Sequence, residues 1–178
     1  RETKADKAKR AQTILQQLLK HYPDAHCALD HKTPLDLLMA TILSAQCTDE
    51  RVNKVTPALF RRFPAAKDYA AASLAEIEGL IKSTGFFRSK AKSLKGTGEA
   101  IAREHGGEVP RELAVLTKMP GVGRKTANVV LGNAFGIKSG IVVDTHVKRL
   151  AYRMGLTNAL TPEKVEQDLL KLVPQEHW

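Results

Sequence analysis

Two residues in this chain are placed to do chemistry. Lys125 lies in the stretch Met-Pro-Gly-Val-Gly-Arg-Lys-Thr-Ala at 119–127, and Asp144 closes the apolar run Ile141-Val142-Val143. Lys125 falls in the first turn of an expected helix from about Arg124 to Phe135, where the macrodipole disfavours a cation. Arg124 beside it adds repulsion of the same sign. Both effects disfavour the ammonium form, and an amine nucleophile must be neutral to attack. A nucleophilic lysine, a carboxylate and a phosphate-gripping turn point together to Schiff-base chemistry on a nucleic-acid sugar. A plainer reading stays open: Lys125 only touches phosphate, and Asp144 only caps the helix that begins Thr145-His146-Val147.

The turn that presents Lys125 is Pro120-Gly121-Val122-Gly123, where both glycines suit a backbone of positive φ. Beyond it, Ala127, Val130, Leu131 and Ala134 keep the rhythm of a helix with one buried face. Before it, Leu113, Leu116 and Met119 mark a shorter helix, so 112–135 reads as helix, hairpin, helix. Two nucleotide-binding motifs are excluded. A P-loop needs glycine directly before Lys-Ser/Thr, and here Arg124 stands there. A dinucleotide fingerprint needs a third small residue and a preceding strand, and Thr126 and a helix supply neither. What remains is a tight turn whose backbone N–H groups open a helix, a site for one phosphate. Pro120, Gly121, Val122, Gly123, Arg124 and Thr126 are its candidate contacts, with Lys118 adding charge. An ordinary helical hairpin with a solvated basic rim explains the same residues.

The elements that must position this hairpin are helical almost throughout. Ala11, Ile14/Leu15 and Leu18/Leu19 mark a first helix that Tyr22-Pro23 stops. Thr33-Pro34 with Asp36 opens a second, whose stripe Leu35, Leu38, Met39, Ile42, Leu43 calls for full burial. At its end stand Ser44, Gln46 and Asp49, with Asp49 expected to start the next helix. Pro57 restarts or kinks a helix carrying Leu59, Phe60 and Phe63. Ser73-Leu74-Ala75-Glu76 is a capping box for a helix ending at Gly85. Phe86 and Phe87 follow on a turn. Two adjacent aromatics do not share one core face easily, so either one is exposed as a wedge for a base stack or both pack inward. Arg88, Lys90, Lys92 and Lys95 then line a helix, as phosphate contacts or as a solvated face. Gly96 and Gly98 weaken that helix by roughly 1 kcal/mol each, so something must pack closely there or the helix frays. Past Asp144, Val147, Leu150 and Met154 are expected on the buried side of a helix, and Thr161-Pro162-Glu163 starts the last one.

Composition sets the outer bounds. A chain of 178 residues fits one domain or two small lobes, and a net charge of +9 with pI near 9.7 favours a polyanionic partner. Cys27 and Cys47 are the chain's cysteines; they form no disulfide framework and no CxxC pair, so reduced thiols in a cytoplasmic protein are expected, with no metal site. No apolar run approaches membrane-spanning length.

The run Leu-Ser-Ala-Gln-Cys-Thr-Asp at 43–49, Gly85 to Ala91, Met119 to Val130 and Val143-Asp144-Thr145-His146 together resemble the endonuclease III family. The likeness spans nearly the whole chain, in order and with similar spacings. It implies a DNA glycosylase with AP-lyase activity on an all-α fold of the helix-hairpin-helix superfamily. Residues 30–140 would form one lobe and 1–29 with 141–178 a second, with a DNA cleft between them. It implies Lys125 and Asp144 as catalytic pair and oxidised pyrimidines as substrate. Gln46 would fill the gap left by an extruded nucleotide and Phe86 or Phe87 would serve as wedge, where the family often carries Leu. Arg88, Lys90 and His146 would join the hairpin in holding DNA. The expected partner is a duplex with a damaged base or abasic site, with no membrane; a monomer is expected, and, for a bacterial-type protein, association with the nucleoid. Monofunctional relatives typically lack a lysine at this position, so Lys125 argues for the bifunctional branch over a monofunctional glycosylase or a non-catalytic DNA-binding module. The family's [4Fe–4S] cluster is implied only if a four-cysteine loop follows Trp178.

Overall fold

A computed structural model describes residues 2–178, and the described residues form helices and connecting turns without a strand. The chain divides into two compact units, one of Cys27–Ile137 and one running up to His26 and resuming at Lys138. The larger unit holds α2 (Pro34–Leu43), α3 (Asp49–Arg62), α4 (Ala66–Ala71), α5 (Leu74–Ile81), α6 (Phe87–Glu104), α7 (Leu113–Leu116) and α8 (Arg124–Phe135). The other holds α1 (Lys4–His21), α9 (Thr145–Arg153) and α10 (Pro162–Leu170).

The core of the larger unit is organised on α2, whose Leu37, Leu38, Met39 and Leu43 are wholly buried. A helix this apolar on all sides must be surrounded, and α3, α6 and α8 pack on it. Burying each such side chain stabilises the fold by about 1.5–3 kcal/mol. The helix starts as the sequence dictates. The Thr33 hydroxyl accepts the Asp36 N–H at 3.0 Å, and the Asp36 carboxylate accepts the Lys32 and Thr33 N–H groups at 3.1 Å.

α6 is the second axis of this unit, and its glycines have a packing reason. A Cβ on Gly98 would stand 2.5 Å from Tyr69 Cβ and 2.9 Å from the Ala66 carbonyl oxygen, so α4 rests directly on the α6 backbone. Tyr69 packs against Phe63 with ring centroids 5.1 Å apart. Burial, aided by the Asp36 and Asp68 carboxylates, pushes its phenol far above the ordinary range. Lys95 closes the end of α4 by donating to the Ala70 and Ala72 carbonyls at 2.6 and 2.9 Å, so it is a capping residue and not a solvated cation.

The smaller unit packs α1, α9 and α10 around Ala11, Val143, Ala151, Leu156, Val165 and Leu169. Arg10 donates to the carbonyls of Met154 and Gly155 at the end of α9 and pairs with Glu2 at 2.8 Å.

Several local expectations are corrected. Of the two readings of Pro57, the restart is excluded, because it sits inside a continuous α3. Ser73 caps α5, but Glu76 turns to Arg62 at 2.5 Å, so the capping box is half made. α7 is a single turn that stops before Met119. Leu150 is 45% exposed on α9, where Ala151 takes the buried place.

Gly98→Ala is expected to destabilise the fold by about 1–3 kcal/mol through overpacking against α4. Gly79→Ala, on α5 with open space around it, is expected to add about 0.5–1 kcal/mol. Urea denaturation of the two variants checks both signs, and a neutral Gly98→Ala refutes the close packing of α4 on α6.

Candidate active site

The hairpin before α8 is a tight turn fixed from beneath. The Met119 N–H donates to the Leu116 carbonyl at 3.0 Å and the Val122 N–H to the Met119 carbonyl at 3.1 Å. Gly121 takes φ +75°, and a Cβ there would lie 2.7 Å from Ser93. On the same face of α6, Gly96 leaves room for the Pro120 ring, which a Cβ would meet at 2.9 Å, and the Thr97 hydroxyl donates to the Pro120 carbonyl at 2.9 Å. Ser93, Gly96 and Thr97 therefore form a seat of small residues at i, i+3 and i+4. Gly123 differs from expectation. It adopts φ −86° with open space for a Cβ, so it serves as the N-cap and not as a positive-φ corner. Val122 is also corrected as a phosphate contact, because its side chain is buried and its N–H is used within the turn.

α8 opens on Gly123 without a side-chain cap and without an acid in its first turn. Arg124 and Lys125 stand there instead, both exposed, with Thr126 half-buried behind them. A cation at this end opposes the helix dipole by about 0.3–1 kcal/mol. The arrangement costs stability, yet it places an amine beside N–H groups that suit an anion. Pro120, Gly121 and Gly123 are exposed at the same turn, and Lys118 is exposed just before it.

Two further corners of the larger unit carry site candidates. Gln46 and Phe86 are the non-glycine residues with positive φ among the described residues, at +51° and +47°. Each left-handed corner costs about 1–2 kcal/mol. Gln46 is exposed between the end of α2, where the Ser44 hydroxyl donates to the Thr41 carbonyl, and the N-cap Thr48 of α3. Asp49 is the first residue of α3, in the helix-starting role expected of it. The two phenylalanines part company. Phe86 is 69% exposed, whereas Phe87 packs against the core with the Arg88 guanidinium 5.1 Å over its ring. Lys90, expected to contact phosphate, is corrected. It is buried, with Nζ donating to the Thr84 carbonyl at 2.7 Å.

Asp144 belongs to the smaller unit. Ile141 and Val143 anchor the segment before it in that unit's core, and Asp144 is the N-cap of α9, accepting the Val147 N–H at 2.8 Å. The capping role is real, and it fixes a half-buried carboxylate. His146 is exposed in the first turn of the same helix.

The residues present do not fit a four-thiolate iron–sulfur cluster. Cys27 and Cys47 are the chain's two cysteines, both packed partly against the larger core. The described residues contain no group of three or more His, Cys, Asp or Glu placed to hold a metal. No helix among them is long and apolar enough to cross a membrane. A groove of about 620 Å³ lined by Asp30, His31, Asp36, Thr56, Phe60 and Arg61 contains none of the expected site residues. The sequence reading missed the α6 seat, although Gly96 carried its signal.

Residues 39–175 match the family of HhH-GPD superfamily base excision DNA repair proteins. The chain is 59% identical to an endonuclease III of Synechocystis over 98% of its length and 80% of that protein. It is 44% identical to an endonuclease III of Bacillus subtilis over 96% of its length and 78% of that protein. Among solved structures, a non-covalent endonuclease III–DNA complex superposes with a TM-score of 0.92 at 44% identity, covering 96% of this chain and 80% of that one. A thermostable thymine-DNA glycosylase shares the fold at a TM-score of 0.82 and 23% identity, covering 94% of this chain and 80% of that one.

Gly121→Ala combines a left-handed backbone with a contact inside van der Waals distance, so it is expected to lower stability by about 2 kcal/mol or more. Gly123→Ala, a substitution at an unstrained N-cap, is expected to cost below about 1 kcal/mol. Thermal unfolding of both proteins checks the contrast, and equal losses would refute the assignment of Gly121 as the strained corner.

Proposed function

The chain belongs to the HhH-GPD superfamily of base excision DNA repair proteins, in the endonuclease III family, and from that membership we propose a bifunctional mechanism in which Lys125 is the nucleophile. The protein is a DNA glycosylase of base excision repair. Its lyase step and the roles of individual residues are the reading offered here. The observation that carries it is the start of α8, a helix that opens on an exposed hairpin with a lysine in its first turn and glycine in place of a side-chain cap.

The basic chain, with net charge +9, holds duplex DNA through its phosphates, with an affinity that falls as salt rises. The exposed hairpin backbone and Arg124 hold a phosphate beside the lesion, which sets register and carries no sequence information. Arg88 and His146 are further exposed groups suited to the DNA backbone. Gln46 and Phe86, on their strained corners, occupy the stack vacated when the damaged nucleotide turns out. The Lys125 amine, after giving up its proton, then attacks C1′. Its lone pair forms the C–N bond while the glycosidic electron pair leaves with the base, which takes up a proton. Opening of the sugar ring gives an imine. Loss of a C2′ proton drives out the 3′ phosphate, and water hydrolyses the imine to free Lys125.

Asp144 carries a negative charge at a fixed position and serves in this reading to steady positive charge on the sugar or to move protons. One carboxylate oxygen is held by the Val147 N–H, which leaves the other for this work. Family likeness favours oxidised or ring-saturated pyrimidines as substrates. No residue described above selects among bases.

Borohydride reduction in the presence of abasic-site DNA traps the imine as a covalent adduct. Wild type is expected to form it, and Lys125→Gln is expected to lose it by roughly three orders of magnitude or more while keeping its DNA affinity. Wild type that cleaves bases yet forms no adduct would instead mark a monofunctional enzyme working through Asp144 and water. Asp144→Asn is expected to keep the N-cap hydrogen bond, because Asn caps as well as Asp, and to lose about 10²–10⁴-fold in base excision. A large drop in its thermal stability would show that the charge serves the fold.

A further inference from the structure

Lys90 is a buried cation that no step above uses. It is 5% exposed, and burial pushes its ammonium below the ordinary lysine range, opposed only by Cys47. A methionine would fill the same space without removing a charge from water, so what the ammonium adds at this position is its hydrogen bond. Lys90 binds the chain on both sides of one corner. The Lys90 backbone N–H donates to the Phe86 carbonyl at 3.1 Å, and Nζ donates to the Thr84 carbonyl at 2.7 Å.

Between those two bonds lie Gly85 at φ +68° and Phe86 at φ +47°, consecutive residues of positive φ. The Thr84 end is itself fixed, since that residue is buried and its hydroxyl donates to the Ile81 carbonyl at 2.8 Å. A left-handed aromatic corner persists only where its surroundings over-determine it. Here the first turn of α6 closes the Phe86 end through its backbone, the Lys90 side chain closes the Thr84 end, and the Phe86 ring is left in solvent.

We propose that Lys90 is a positioning residue that clamps the Thr84–Phe86 corner, so that Phe86 is set for base extrusion before DNA arrives. This rests on the reading of Phe86 as the side chain that enters the emptied stack. The clamp acts on extrusion and not on attack by Lys125, because the bonds of Lys90 go to Thr84 and Phe86 and not to the hairpin that presents Lys125. A single-stranded abasic oligonucleotide needs no extrusion, so its cleavage reads the lyase step alone.

Extrusion is followed with a duplex carrying 2-aminopurine beside a ring-saturated pyrimidine, whose fluorescence rises as the stack opens. Lys90→Gln is expected to slow this rise at least fivefold, to leave cleavage of the single-stranded substrate within twofold, and to add nothing in a Phe86→Ala background. Gly85→Ala, which disturbs the same corner without touching the buried cation, is expected to give the same split. Parallel loss of both activities in Lys90→Gln and Gly85→Ala overturns the clamp, and so do Lys90→Gln and Phe86→Ala effects that multiply. Unimpaired Lys90→Gln beside an impaired Phe86→Ala withdraws the clamp alone. An unimpaired Phe86→Ala withdraws the wedge reading and the clamp with it.

Discussion

The contact on which this molecule depends is the seating of Pro120-Gly121 on the small-residue face of α6. Ser93, Gly96 and Thr97 give the hairpin a floor with room for a proline ring, and the Thr97 hydroxyl holds the Pro120 carbonyl above it. A turn of this kind has little apolar area of its own, and apart from Val122 nothing in it could hold its place by burial. Close backbone approach substitutes for side-chain packing, and that approach is possible only where Cβ atoms are absent. The hairpin in turn fixes where α8 begins, and hence where Lys125 emerges. Position of the amine thus follows from two glycines on two different elements.

Once α8 is anchored this way, its N-terminus is spared the usual stabilisers. α1, α2, α3, α5 and α9 begin with a side-chain oxygen that accepts a first-turn N–H, and α8 begins with glycine and two cations. The strained corners at Gln46 and Phe86 belong to the same pattern. Among the described residues, the left-handed corners that are not glycine fall at Gln46 and Phe86, and α8 starts on two cations with no acid in its first turn. These departures lie at residues assigned to DNA, where the well-packed α2 and α6 can carry the cost.

The helices of the chain were largely legible because their signals are local. Thr33 with Asp36 announced α2, and the rhythm of Ala127, Val130 and Leu131 fixed α8. Lys125 and its turn were legible for the same reason, being continuous in sequence. What could not be read was which side a polar residue faces when a neighbouring element decides it. Lys90 and Lys95 looked like members of one basic stripe, yet a carbonyl from the turn before α6 holds one and the end of α4 holds the other. Gly123 looked like a twin of Gly121, but only Gly121 is pressed against Ser93. The split between Phe86 and Phe87 was left open by composition and follows from a backbone angle.

The two groups assigned to the chemistry are held in opposite ways, and their tasks explain why. Asp144 is short, its backbone follows the buried Val143, and its carboxylate is pinned by the first turn of α9. A charge meant to act on a developing cation is most effective when it needs no reorganisation at the moment of reaction. Lys125 is long, exposed and fixed only at its Cα by a rigid helix. In the proposed sequence its nitrogen must reach C1′, stay bonded while the ring opens, and follow the sugar through elimination. A pinned amine could make the first bond and would resist the later movements. Rigid placement of the backbone with freedom in the side chain serves all three, which makes the exposure of Lys125 a requirement of the lyase path.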